Sequence, residues 1–458
     1  VNNFDNIQNV YFLGIGGIGM SALARYFMAS GMNVAGYDRT PTGLTDSLIN
    51  EGMAVHFDDS PASIPIPFRS CKNTLVVFTP AIPGSHSELA YFKKNGFRIC
   101  KRSEILGLIT RHKKTIAVAG THGKTTISTM LAHILNTGSQ GCSAFLGGIS
   151  KNFNSNLVLN PLSEWVVAEA DEFDRSFLQL YPYAAVITAI DPDHLDIYGN
   201  TVALQKAFDQ FISQVQPQGI VLAKDNLAFT IPAADLQIFR YALKGKAQFH
   251  AENIRLSGRE YHFDLVGPDL AINDITLIHP GLVNVENAVA ASSMAALLGF
   301  DHATIREALG SFTGIQRRFD VQIQSESMIY IDDYAHHPKE IEATIVSVRN
   351  LFPDKKITGV FQPHLYSRTR DLAVEFASSL NLLDHLILLD IYPARELPIE
   401  GVTSELIFRN VTLKEKIMCP KDHLLENLKR LKIEVLLTMG AGDIDKMVIP
   451  IKDLYLKK

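Results

Sequence analysis

The sequence predicts an α/β protein built in three blocks, on three observations. Its 458 residues, at roughly 150 per domain, make about three domains. Strand-like apolar runs alternate with helical patterns along much of the chain, as expected of parallel sheets covered by helices. Two glycine-bearing loops, at Gly14–Gly19 and Gly120–Thr126, each stand where a strand-like run gives way to a helical one.

Taken in order, Val10–Leu13 reads as the first strand, leading through Gly14-Ile15-Gly16-Gly17-Ile18-Gly19 into a helix to about Ala29, stopped by Gly31. Strands are expected at Asn33–Tyr37 and Leu75–Phe78, the latter ended by Thr79-Pro80. A helical, basic segment from Lys101 to Lys114 leads to a strand at Thr115–Ala119 and sets a boundary near residue 105. The second block carries strands at Trp165–Ala168 and Ala184–Ile190 and turns β-rich over Phe249–Ile278. An alanine-rich helix, Val285–Leu298, follows, and the block closes near Gly314. Strands at Met328–Ile331, Ile357–Phe361, Leu386–Leu389 and Val435–Thr438 restart the rhythm in the third block. Neither a short repeat nor a low-complexity tract interrupts it.

Composition excludes several classes. A hydrophobic fraction of 47% with 20% charged residues is ordinary for a soluble globular chain and argues against long disorder. A net charge of -5 argues against nucleic acid as the main partner, though a few local cations suffice for an anionic substrate. Cys71, Cys100, Cys142 and Cys419 stand singly with no CxxC pair, which reads as buried reduced thiols in a cytoplasmic protein. No apolar run approaches the roughly eighteen residues a membrane span needs, and Val1–Gln8 lacks a signal peptide's order. A soluble, cytoplasmic protein without a membrane partner is expected.

Gly14, Gly16 and Gly19 form GxGxxG between strand and helix, and Asp38 closes the next strand, nineteen residues beyond Gly19. Glycines allow a tight turn and close backbone approach, and the free N–H groups of a helix start face an anion. This specifies a diphosphate near a helix end without saying whose. Alone it would favour NAD, with Asp38 on a ribose hydroxyl.

The second loop, Gly120-Thr121-His122-Gly123-Lys124-Thr125-Thr126, ends a strand and opens an apolar-periodic helix. Gly123-Lys124-Thr125 supplies a backbone nest for anions, a lysine for terminal phosphates and a hydroxyl for Mg²⁺. The usual GxxxxGK[ST] spacing is not met, because Val118 stands where its first glycine belongs. The strand–loop–helix setting nonetheless favours ATP, although the loop itself does not separate ATP from GTP. Glu169-Ala170-Asp171-Glu172 and Asp191-Pro192-Asp193-His194-Leu195-Asp196 each follow a predicted strand. Either cluster singly reads as a solvated loop. Two beside a nucleotide loop point to metal and phosphate chemistry at one sheet edge.

Together these segments resemble the ATP-dependent Mur ligases of peptidoglycan synthesis. Further matches are Phe312-Thr313-Gly314 with Arg317-Arg318-Phe319, Asp332-Asp333-Tyr334-Ala335-His336-His337-Pro338, Phe361-Gln362-Pro363-His364 and Gly440-Ala441-Gly442-Asp443-Ile444. They narrow the resemblance to the member that adds L-alanine to UDP-N-acetylmuramate. The resemblance implies a Rossmann-like UDP-sugar domain over 1–105, a central P-loop-type ATPase α/β domain over 106–314, and a C-terminal Rossmann-like amino-acid domain over 315–458. It reassigns Gly14, Gly16, Gly17, Ile18, Gly19, Met20, Ser21, Asp38 and Thr79 to the UDP-sugar. ATP would meet Gly120, Thr121, His122, Gly123, Lys124, Thr125, Thr126, Asn287 and Arg318. Thr125, Glu169 and His194 would hold Mg²⁺, with Mn²⁺ as its substitute. Lys124, His194, His336, His337 and Arg368 would face the reacting groups, in a monomer or a homodimer.

Some positions depart from the family pattern. Val283 stands where many relatives carry histidine, Leu365 where arginine is frequent, and Thr79-Pro80 where a serine pair is usual; Lys206 aligns too poorly for the carbamylated lysine of sister ligases. The alternatives are a ligase that recycles a peptide onto the same nucleotide sugar and a non-catalytic nucleotide-binding regulator. A dehydrogenase rests on the first loop alone and has no use for the second.

Overall fold

The computed structural model describes residues 4, 6–191, 195–230, 235–394 and 396–456. The chain divides into two compact units, one of Val1–Ile254, Phe263–Thr276 and Glu286–Phe312, the other of Arg255–His262, Leu277–Val285 and Thr313–Lys458.

The first unit opens with five parallel strands, β1 (Asn9–Leu13), β2 (Asn33–Tyr37), β3 (Ala54–His56), β4 (Thr74–Phe78) and β5 (Arg98–Lys101), in the order β3-β2-β1-β4-β5. Strand β1 lies in the middle and is buried on both faces, which is why it reads as a continuous apolar run. Val10 and Phe12 join one core cluster, while Tyr11 and Leu13 join another. The chain leaves β1 through Gly14, whose positive φ of 86° and closeness to Thr79 both demand glycine: a Cβ there would lie 2.6 Å from Thr79 Cγ2.

The same unit holds β6 (Lys114–Ala119), β7 (Ser143–Ser150), β8 (Ser155–Val158), β9 (Trp165–Ala170), β10 (Ala184–Ile187), β11 (Ile220–Lys224) and β12 (Gln237–Tyr241). Their order is β12-β11-β10-β6-β9-β7-β8. Both β9 and β10 run parallel to β6, with Ala119 opposite Ala170 on one side and Ile187 on the other. Strand β9 continues two residues past the predicted end, so Glu169 lies within it, whereas β10 stops three residues before Ile190. The sequence reading carried no strand at β7, whose apolar run is broken by Gly147-Gly148, at the polar β8, or at β11 and β12.

Strands β13 (His250–Ser257), β14 (Glu260–Gly267) and β15 (Leu270–Leu277) form the small sheet of the predicted β-rich segment, and a helix at Leu282–Leu297 follows. The second unit carries β16 (Asp320–Gln324), β17 (Ile329–Asp333), β18 (Ile357–Phe361), β19 (His385–Leu388), β20 (Lys416–Met418) and β21 (Val435–Met439) in the order β16-β17-β21-β18-β19-β20. All run parallel except β16, which pairs antiparallel with β17. All four cysteines are free, but Cys71 sits exposed in a turn before β4 rather than buried. Among the described residues, no helix is long and apolar enough to cross a membrane.

Candidate active site

The loop after β6 is braced by the segment after β10. Thr121 N–H donates to Ala189 O at 3.0 Å, Asp191 N–H donates to Thr121 Oγ1 at 3.2 Å, and Thr188 Oγ1 donates to His122 O. A Cβ on Gly120 would lie 2.1 Å from Thr188 Oγ1, so only glycine lets these two loops meet. Gly123, at a φ of 80°, then turns the chain into the helix Lys124–Thr137. Asn287, from the helix Leu282–Leu297, reaches this turn: its Oδ1 is 2.9 Å from where a Gly123 Cβ would stand.

Lys124 is buried against carboxylates. Its Nζ donates to Glu172 Oε1 at 3.0 Å and Oε2 at 2.8 Å, and to Gly120 O at 2.7 Å. Burial alone would lower the ammonium pKa, but Glu172, Asp171 and Glu169 outweigh it and raise it, so Lys124 stays charged. Thr125 is buried in the first turn of the helix. Glu169 packs over Gly147, and its Oε2 is buried with no hydrogen-bond partner among the described residues. His194, the third expected metal ligand, lies outside the described residues. Among the described residues, no three His, Cys, Asp or Glu side chains converge on one point.

In the same unit a cavity of about 240 Å³ joins the first glycine loop to the edge of β9. Gly17, Ile18, Gly19, Met20 and Thr79 line it, together with Glu169, Asp171 and Arg102. Asp38 braces the loop, its Oδ2 accepting from Gly16 N–H at 2.7 Å. Ser21 is fully buried, its hydroxyl donating to Ile18 O and accepting from Asn156 Nδ2. The sequence reading passed over Arg102. Its only signal was the basic character of Lys101–Lys114, which singles out no residue.

The second unit gathers another group at the C-terminal ends of β17, β18 and β21. Asp333 accepts from Phe319 N–H at 2.9 Å and Ala335 N–H at 2.8 Å, and burial raises its carboxyl to about 6 despite Arg318. Arg318 lies 4.9 Å over the Tyr334 ring. His336 Nδ1 is 3.0 Å from Tyr334 O and 3.3 Å from Glu340 Oε2. Burial lowers its pKa to about 4, Glu340 opposing and Arg368 and Arg318 assisting, so the imidazole is neutral at pH 7. His337 is buried at the start of the helix Pro338–Leu351, whose proline fits the first turn. His364 meets the His336 ring edge-on at 5.9 Å and stacks on Tyr392 at 6.0 Å, with buried Arg368 in the following turn. Leu365, at the departure noted above, takes a positive φ of 74°.

A parallel sheet whose edge carries a lysine-bearing loop at a helix start defines a protein that handles nucleotide phosphates. Models of the Mur ligase family match most of the chain: "Mur ligase family, catalytic domain" at residues 9–114, "Mur ligase middle domain" at 118–295 and "Mur ligase, glutamate ligase domain" at 317–443. The chain belongs to the Mur ligase family. It is 49% identical, over 100% of its length and 99% of the relative's, to the UDP-N-acetylmuramate–L-alanine ligase of Parabacteroides distasonis. With the enzyme of that name from Phocaeicola vulgatus it shares 50% identity over 99% of each chain. Among solved structures it is similar to the UDP-N-acetylmuramate–alanine ligase of Thermotoga maritima, with a TM-score of 0.83 at 28% identity over 98% of this chain and 99% of that one.

Proposed function

We propose that the chain joins L-alanine to the carboxylate of UDP-N-acetylmuramate, converting ATP to ADP and phosphate, in cytoplasmic peptidoglycan precursor synthesis. The observation that carries this reading is full-length identity near one half to relatives of that name. The division of labour is the UDP-sugar on 1–105, ATP on 106–314 and the amino acid on 315–458.

A carboxylate becomes an amide only if one of its oxygens becomes a good leaving group. In this reading the muramyl carboxylate attacks the γ-phosphorus and ADP departs, leaving an acyl phosphate. Alanine's neutral amine then attacks the acyl carbon, and the tetrahedral intermediate expels phosphate. The first step crowds anions together, so Lys124 screens charge and aligns the phosphates. For this it must exchange Glu172 for the nucleotide. The second step releases a proton from nitrogen, and accepting it is a role open to His194, His336 or His337; burial leaves His336 neutral but a weak base. Mg²⁺ suits the donors available, since Thr125 and Glu169 offer hard oxygens and Glu169 Oε2 is a buried acceptor without a partner among the described residues. When bound, the ion supplies positive charge at the phosphates.

The test is phosphate release from ATP with UDP-N-acetylmuramate, Mg²⁺ and an amino-acid panel. Release that depends on L-alanine is expected. Release only with a tripeptide would assign the chain to peptide recycling instead.

A further inference from the structure

Arg102 carries a role that neither loop motif predicts. It opens the helix Arg102–Thr110 and reaches into the cavity beside the first glycine loop. A Cβ on Gly19 would lie 2.7 Å from Arg102 Nη1, so the guanidinium rests against the first turn of the helix Ile18–Ala29. Its other end, Nη2, is 3.4 Å from Asp171 Oδ2. Among the described lining residues the charged groups are Glu169, Asp171 and Arg102, and Arg102 is the sole cation.

Resting on the proposed reading, the substrate brings a diphosphate and a carboxylate into a space already lined by two carboxylates. Backbone N–H groups of the glycine loop offset part of that charge, but without a cation the remainder is repulsive at low dielectric. We propose that Arg102 is a substrate-binding residue that grips the diphosphate of the sugar nucleotide at the start of the helix Ile18–Ala29. Its placement against Gly19 selects the diphosphate, and its planar fork suits two phosphate oxygens. Asp171 holds the guanidinium at a long distance when no nucleotide is bound and gives it up when one arrives.

Calorimetry of UDP, uridine and UDP-N-acetylmuramate on the full chain tests this. Arg102→Ala is expected to weaken UDP and UDP-N-acetylmuramate alike by roughly 10- to 100-fold, the worth of a charge-assisted contact. Uridine, which lacks phosphates, and ATP are expected to bind unchanged. Arg102→Lys keeps the charge without the fork and is expected to recover part of the loss. Lys101→Ala, which removes a cation paired with Asp174 outside the cavity lining, is expected to change nothing. Equal UDP affinity in a folded Arg102→Ala protein overturns the inference while leaving the proposed function standing. So does a loss confined to UDP-N-acetylmuramate, which would put the guanidinium on the carboxylate. A wild-type chain that binds neither UDP nor UDP-N-acetylmuramate overturns the proposed function and this inference with it.

Discussion

The edges of the two larger parallel sheets solve opposite electrostatic problems. At the β6-centred edge Lys124 is charged and paired, locked between both oxygens of Glu172 and kept protonated by its carboxylate neighbours. At the edge formed by β17, β21 and β18, burial drives titratable groups towards neutrality, His336 down to about 4 and Asp333 up to about 6. Phosphoryl transfer needs a fixed positive charge where anions collide, which a lysine kept protonated by close carboxylates can supply. The difference teaches that burial alone does not set the charge of a group: a close carboxylate pair keeps Lys124 charged, while His336 and Asp333 yield to desolvation.

The largest effect falls on the charged edge. Lys124→Ala is expected to lower kcat by roughly 10³-fold, the scale of removing a preorganised charge from a developing anion. UDP-N-acetylmuramate affinity is expected to survive, because the first loop makes no use of this lysine. Loss of both would show that the two phosphate loops are not separable. A smaller effect follows from freeing the lysine. Glu172→Gln removes one partner of a buried pair, which costs about 3 kcal/mol of stability in the nucleotide-free protein. ATP phosphates then restore the missing anion, so the rise in Tm on adding ATP should be greater than in the wild type. An equal rise would mean that Lys124 keeps Glu172 when ATP binds.

Much of the fold was legible because β1 and β6 carry apolar runs that give way to glycine, and β17 one that gives way to acid, each consistent with burial on two faces. The approach of the first acidic segment to the second loop was also legible, since it follows a strand whose end shares an edge with β6, and Glu172 meets Lys124 there. What the sequence hid are properties made by neighbours far along the chain. Asp38 closes a strand in the sequence, and its hold on Gly16 N–H across the loop is a contact that spacing does not show. Glu172 looked like part of an acidic run, yet it is the partner that holds Lys124. Arg102 needed the approach of Gly19 and Asp171, which no spacing encodes. Strand β7 was missed because Gly147, which weakens its pattern, is the residue that makes room for Glu169: a Cβ there would lie 2.0 Å from Glu169 Oε2.

The smallest effect probes the neutral edge through pH. His336 is faced by Glu340, Arg318, Arg368, Tyr334 and His364, and burial outweighs the one carboxylate among them. Its folded pKa of about 4 lies below the ordinary 6.5, so the unfolded chain takes up a proton in that window which the fold refuses. The stability tied to the neutral ring is therefore complete above pH 6.5 and is lost progressively as pH falls towards 4. Over that window it amounts to about 2 to 3 kcal/mol, allowing for the part of the side chain that water reaches. Urea unfolding of wild type and His336→Gln at pH 7 and pH 4.5 measures it. The wild type should lose about 2 kcal/mol more than the variant between the two values. Identical losses would mean that His336 titrates like an exposed histidine, and the contrast between the charged and neutral edges would not hold.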